Sequence, residues 1–169
     1  MSDIKSDIII VNENEVAAKK KAEHDGYEFS VKKLLPRSAG RGCVASIYEI
    51  PPGKSAYPYH YHTQSEEMFY ILQGVGELRT PDGVREVAAG EFIYFPADSG
   101  GAHKLRNTSE CNTLVYLDID TCGKIDVTVY PDSDKLGIWG CEINKLFRVC
   151  DEVDYYDGEQ GDEPSGETK

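Results

Sequence analysis

From Tyr27 onward the chain is a succession of short apolar runs broken by glycine, proline, asparagine and aspartate, with no helical stretch between them. After a first long strand expected near Tyr27 to Leu34, strands are predicted in CVASIYEI (43–50), around His60, and in MFYILQG (68–74), GELRT (76–80), REVAAG (85–90), FIYFP (92–96), HKLRN (103–107) and NTLVYLDID (112–120). The turn PDG at 81–83 punctuates the series. Beyond Asp120, DVTVY, the turn YPDSDKLG and the stretch INKLFRVC predict further strands at the edge. Many short strands without intervening helices define an all-β sandwich or barrel. MFYIL and FIYF are apolar at consecutive positions rather than alternate ones, so both of their faces are expected to be covered. Either the N-terminal segment or a second copy of the chain can cover the outer face, and isologous pairing favours a homodimer. Residues 12–26 are polar with one short helix-compatible patch. The predicted organisation is an arm over 1–26, a barrel with edge strands over 27–157 and an acidic tail over 158–169.

Size and charge narrow the partners. A chain of 169 residues suits one domain with a single core. Its formal net charge is −12, and residues 151–169 hold eight acids against one lysine. That field repels phosphate backbones and anionic lipid surfaces, which excludes nucleic acid and membranes as expected partners. The longest apolar runs fall far below the roughly 18 residues of a membrane span, and MSDIKSD lacks the order of a signal peptide, so a cytoplasmic address is expected. Five cysteines without a Cys-x-x-Cys pair are expected to be reduced. Gly74 to Gly76 lies between strands and opens no helix, which excludes a nucleotide-binding loop.

The chemistry lies in PYHYHTQSEE. His60 and His62 stand at period two, so on a strand both imidazoles face one way while Tyr59 and Tyr61 face the other. With Glu67 five residues on and His103 36 residues further, the set fits the ligands of one metal: three imidazole nitrogens and one carboxylate. His24, in KKKAEHDG, reads as a solvated residue.

These residues resemble the cupin superfamily. Its first motif reads here as Gly53, His60, His62, Glu67 and Gly74, and the six residues MFYILQ before Gly74 select Glu67 over Glu66. The second motif resembles Gly90, Pro96, His103 and Asn107, with two extra residues between Pro96 and His103 and with Asp98 where the motif has glycine. The resemblance covers about Tyr27 to Glu159 and is nearest to small single-domain bacterial cupins often labelled as candidate sugar-phosphate isomerases. It implies a double-stranded β-helix, the cupin jelly-roll barrel.

The resemblance also implies one divalent transition metal (Zn, Fe, Mn, Ni or Co) on His60, His62, Glu67 and His103, and a small oxygen-bearing ligand such as a sugar phosphate. An isomerase or oxygenase reaction is one reading, and a non-catalytic binding module with a structural or ligand-anchoring metal is the other. Isomerisation needs a base, for which Glu66 qualifies only if local geometry turns it inward. Tyr57, Phe69, Phe95 and Tyr116 are the expected pocket walls. Lys54, Arg79, Lys104 and Arg106 are the options for a phosphate handle, although the pattern turns none of them inward.

Overall fold

The computed structural model describes residues 8–38 and 41–160. Thirteen strands appear among them: β1 (Lys19–His24), β2 (Tyr27–Leu35), β3 (Cys43–Ile50), β4 (Tyr61–His62), β5 (Glu67–Gln73), β6 (Val75–Thr80), β7 (Gly83–Ala88), β8 (Phe92–Phe95), β9 (Lys104–Asn107), β10 (Leu114–Thr121), β11 (Ile125–Tyr130), β12 (Lys135–Gly140) and β13 (Asn144–Arg148). Only single 3₁₀ turns interrupt the series. They form an antiparallel sheet ordered β1-β2-β3-β10-β5-β8, facing two smaller ones, β13-β12-β11-β4 and β7-β6-β9. The all-β jelly roll is as expected, although its ladders do not close into one continuous barrel. The two smaller sheets are joined by one two-bond exchange, His60 N–H to His103 O (3.1 Å) and His103 N–H to His60 O (2.8 Å).

Alternation explains what lies between the sheets. Along β5, Glu67, Phe69 and Ile71 are buried, and along β10 Leu114, Tyr116 and Asp118 are buried. Phe29, Val31, Tyr48, Ile50, Leu78, Val87, Phe95 and Leu105 complete the core. The cross-strand register sets Glu67 opposite Asp120 and Phe69 opposite Asp118. Polar side chains thus occupy one end of an otherwise apolar interior.

The N-terminal segment differs from its expected form. Helix is confined to one 3₁₀ turn at Glu13–Glu15, and Lys19–His24 pairs with β2 as the exposed edge strand β1. A polar edge needs no apolar alternation, which is why pattern alone did not reveal it. This strand sits at the opposite margin of the large sheet from β8, so it does not cover the outer face of β5 and β8. Tyr70, Leu72, Phe92 and Tyr94 are exposed there. The end of the acidic tail, residues 161–169, lies outside the described residues. No helix among the described residues is long and apolar enough to cross a membrane.

Candidate metal centre

Each histidine is fixed by its outer nitrogen. His60 Nδ1 lies 2.9 Å from the Pro58 carbonyl and His103 Nδ1 lies 2.9 Å from the Gly101 carbonyl. His62 Nδ1 lies 2.5 Å from Asp126 Oδ2, with Thr128 Oγ1 at 3.2 Å. A carbonyl or carboxylate oxygen only accepts, so each Nδ1 carries a proton and donates it. Each Nε2 then presents a lone pair. All three point toward one oxygen, Glu67 Oε2, at 3.1 Å (His103), 3.5 Å (His62) and 3.9 Å (His60). His60, His62 and Glu67 each offer an atom within 4.8 Å of the others, and His103 joins them through Glu67.

This donor set fits a metal ion. Glu67 Oε2 and His103 Nε2 are buried and have no hydrogen-bond partner among the described residues. Lone pairs on three nitrogens and a carboxylate oxygen repel one another unless a cation stands between them. Three imidazoles and a carboxylate suit several divalent transition metals.

The fold aims these side chains by specific means. Asp126 is buried on β11, and besides His62 its Oδ1 accepts from Gln64 N–H (3.1 Å) and Ser65 N–H (3.4 Å), fixing the segment between His62 and Glu67. Phe95 lies flat on His103, centroids 3.7 Å apart, and Phe69 meets the same ring edge-on at 5.4 Å. Gly101 leaves no room for a side chain, since a Cβ there would fall 1.8 Å from Pro96 O. Asp98, which replaces the motif glycine, has φ 69° and ψ −177°, a backbone region suited to glycine. Its N–H still donates to His62 O at 2.7 Å. Asn107, buried, donates to the Ile50 and Asn112 carbonyls at 2.8 Å each and serves as a staple for the loops.

Of the expected pocket walls, Tyr57, Phe69 and Tyr116 line one space, and Phe95 packs on Phe69 and His103 without lining it. Phe69, Phe95 and Tyr116 are buried, and Tyr116 packs between Phe69 and Tyr48. Tyr57 is 40% exposed, its hydroxyl 3.1 Å from that of Tyr48. The space among Tyr57, His60, Phe69, His103 and Tyr116 holds about 10 Å³, room for one water.

Glu66 turns away. It is exposed, accepts from the Tyr94 hydroxyl at 2.5 Å, and is no base for this interior. Tyr59 packs beneath the Arg79 guanidinium, 3.8 Å from its ring centroid, and Tyr61 is half-buried. The expected phosphate handles are engaged elsewhere or exposed: Arg79 is bidentate to Asp132, Lys54 faces Asp25 at 3.5 Å, Lys104 donates to the Tyr27 hydroxyl, and Arg106 is exposed opposite Glu77.

Two further carboxylates went unnoticed in the sequence. Asp118 and Asp120 share the inward face of β10 with Tyr116, and Glu67, Asp118 and Asp120 each offer an oxygen within 4.8 Å of one another. The signal was available, since period two carries Tyr116 to Asp118 and Asp120. Burial raises Asp118 well above the ordinary carboxylate range, and the negative charges of Glu67 and Asp120 add to the effect. Burial and Glu67 push Asp120 up to about 7, against the opposing pull of His62 and Arg37.

The other groups divide in the same way. Burial lowers His60 to about 4, reinforced by His103. Burial also opposes charge on His62, but Asp126 and Glu67 outweigh it and raise the pKa. For Glu67 the three histidines overcome a large burial penalty and hold it at about 2.

Fold and site together define a class. Residues 46–120 match the cupin domain. It is 35% identical over 78 residues to an uncharacterized protein of Methanocaldococcus jannaschii, a match covering 46% of this chain and 61% of that one. Its fold is similar to that of a candidate sugar phosphate isomerase of Acidithiobacillus ferrooxidans (27% identity, TM-score 0.71, covering 83% of this chain and 90% of that one). It is also similar to the polyketide cyclase RemF of Streptomyces resistomycificus (28% identity, TM-score 0.57, covering 69% and 80%).

Proposed function

We propose that the chain is a metal-dependent enzyme of the isomerase type that moves a proton on a small oxygen-bearing metabolite. His60, His62, Glu67 and His103 would hold the metal, which supplies Lewis-acid polarisation of a bound carbonyl or hydroxyl oxygen. The observation that carries this reading is Asp120. It is a carboxyl paired with Glu67 across the β5–β10 ladder, with an oxygen within 4.8 Å of a Glu67 oxygen. A group so placed can take a proton from a carbon beside the polarised oxygen and return it to the neighbouring position. The flat Phe95–His103 contact keeps this centre oriented. The similarity to a candidate sugar phosphate isomerase supports a polyol substrate, while that to a polyketide cyclase illustrates how one fold hosts unrelated reactions.

A second reading, a non-catalytic binding module with a ligand-anchoring or structural metal, is favoured by the one-water space beside His60 and His103. Metal analysis of untagged protein and solvent-deuterium incorporation into aldose and ketose phosphates decide between them. The expected result is one equivalent of metal, lost in His62→Ala without unfolding, and deuterium incorporation that Asp120→Asn abolishes with metal retained. Metal without incorporation supports the binding module, and unfolding of His62→Ala marks a structural metal. Absence of metal defeats both readings. We further propose a cytoplasmic homodimer formed through Tyr70, Leu72, Phe92 and Tyr94, an exposed apolar face whose burial would stabilise pairing.

A further inference from the structure

Where the β10–β11 turn meets the segment before β3 there is an open cavity of about 540 Å³, a size that suits a small metabolite. Arg37, Arg41 and Lys124 line it, against one carboxylate, Glu142. In a chain of net charge −12 this local excess of cations runs against the general field. The other large cavity, about 610 Å³ beside Tyr57, shows no such excess: there Lys21 and Lys135 are offset by Glu23, Asp25 and Asp132. Among the described residues none of the three cations takes part in an ion pair. Among the described residues the Arg37 guanidinium donates only to the Gly123 carbonyl (3.4 Å) and the Arg41 guanidinium only to the Pro36 carbonyl (3.3 Å).

The chain that lines the cavity leads directly into the strand that carries Asp120. β10 carries Asp120 inward and continues through Cys122, Gly123 and Lys124 into the cavity wall. Cys122 N–H donates to Gly42 O at 2.8 Å, tying the two walls together. A side chain at Gly123 would begin 3.7 Å from Gln64, whose N–H is held by the same Asp126 that orients His62. The field of Arg37 reaches Asp120. From Asp120 to Cys122 the strand advances roughly 7 Å, a distance spanned by the carbon chain of a small polyol.

We propose that Arg37, Arg41 and Lys124 form an anion subsite that holds the phosphate monoester of the substrate while its other end lies at the metal centre. The proposal rests on the metal-enzyme reading above and adds the substrate's charged handle. Guanidinium forks match phosphate oxygens in pairs, and a lysine adds a mobile point charge.

Calorimetric titration of the full chain with inorganic phosphate tests this, alongside acetate, in wild type, Arg37→Gln, Lys124→Gln and the double variant. Arg85→Gln, a surface cation paired with Glu91, is the control. Saturable phosphate binding is expected, weakened about tenfold by each single change and more by both, with Arg85→Gln unchanged. Acetate should bind at least about tenfold more weakly. The same titration on metal-free His62→Ala separates this subsite from the metal: retained phosphate binding supports the cavity, and loss with the metal overturns it. Unchanged affinity in the double variant, equal affinity for acetate, or no saturation in wild type likewise overturns it. Wild type that binds phosphate but carries no metal defeats the metal reading and leaves the anion subsite standing.

Discussion

Asp126→Asn should lower metal affinity about 10- to 100-fold, or ~1.4–2.7 kcal/mol, although residue 126 is not a proposed ligand. The native carboxylate accepts from His62 Nδ1–H on one oxygen and from two backbone N–H groups on the other. Asparagine of the same size has one acceptor. If its oxygen stays with Gln64 and Ser65, its amide faces His62 Nδ1, and the imidazole relieves that clash by moving its proton to Nε2. A protonated Nε2 cannot bind metal. If the amide turns round, His62 is satisfied, but two backbone donors in a buried segment face an NH₂ group, costing about 1–3 kcal/mol of stability. Thr128 Oγ1, 3.2 Å from Nδ1, can accept only part of the load. Chelator competition gives the metal Kd, and melting with and without chelator separates the two routes. A variant that binds metal within about twofold of wild type and melts within about 0.5 kcal/mol of it would refute the tautomer reasoning.

In metal-free protein, Asp120→Asn should raise stability at pH 8 by up to about 4 kcal/mol, because a folded pKa of about 7 against an ordinary 3.8 means the folded state disfavours the ionised group. The sign follows from the raised value: the gain is full above about 7 and fades as pH falls toward 3.8. Equal urea midpoints at pH 8 and pH 4.5 would count against it. Asp98→Gly should stabilise by about 1 kcal/mol, since glycine accepts a φ of 69° without strain and the bond to His62 O is made by the backbone. A lower urea midpoint for that variant would show that the turn does not hold the left-handed conformation.

Much of this was legible in the chain. Period two at His60 and His62, and the glycine spacing that selected Glu67, identified the side chains that converge, because alternation is a local property of a strand. Asp118 and Asp120 obey the same rule, but they read as acids at a strand end until Glu67 is seen across the ladder. Glu66 illustrates the reverse, since its outward turn follows from Glu67 pointing in. The cations of the cavity could not be read at all. Arg37 and Arg41 sit in a connection and Lys124 in a turn, and only the folding of those loops brings them together. Strand β1 escaped notice because a polar edge strand needs no apolar face.

The exchange of backbone bonds between His60 and His103 also fixes when the centre comes into being. The chain between them must first build β5 through β8 before the two segments meet, so loop closure over this distance precedes any four-donor site. Of the four donors, an unfolded chain holds His60, His62 and Glu67 near one another only through local sequence, and lacks His103 beside them. Metal capture is therefore a late event, and its influence should fall on the unfolding limb of the kinetics: bound metal slows the opening of the clasp and leaves the rate of its formation nearly unchanged.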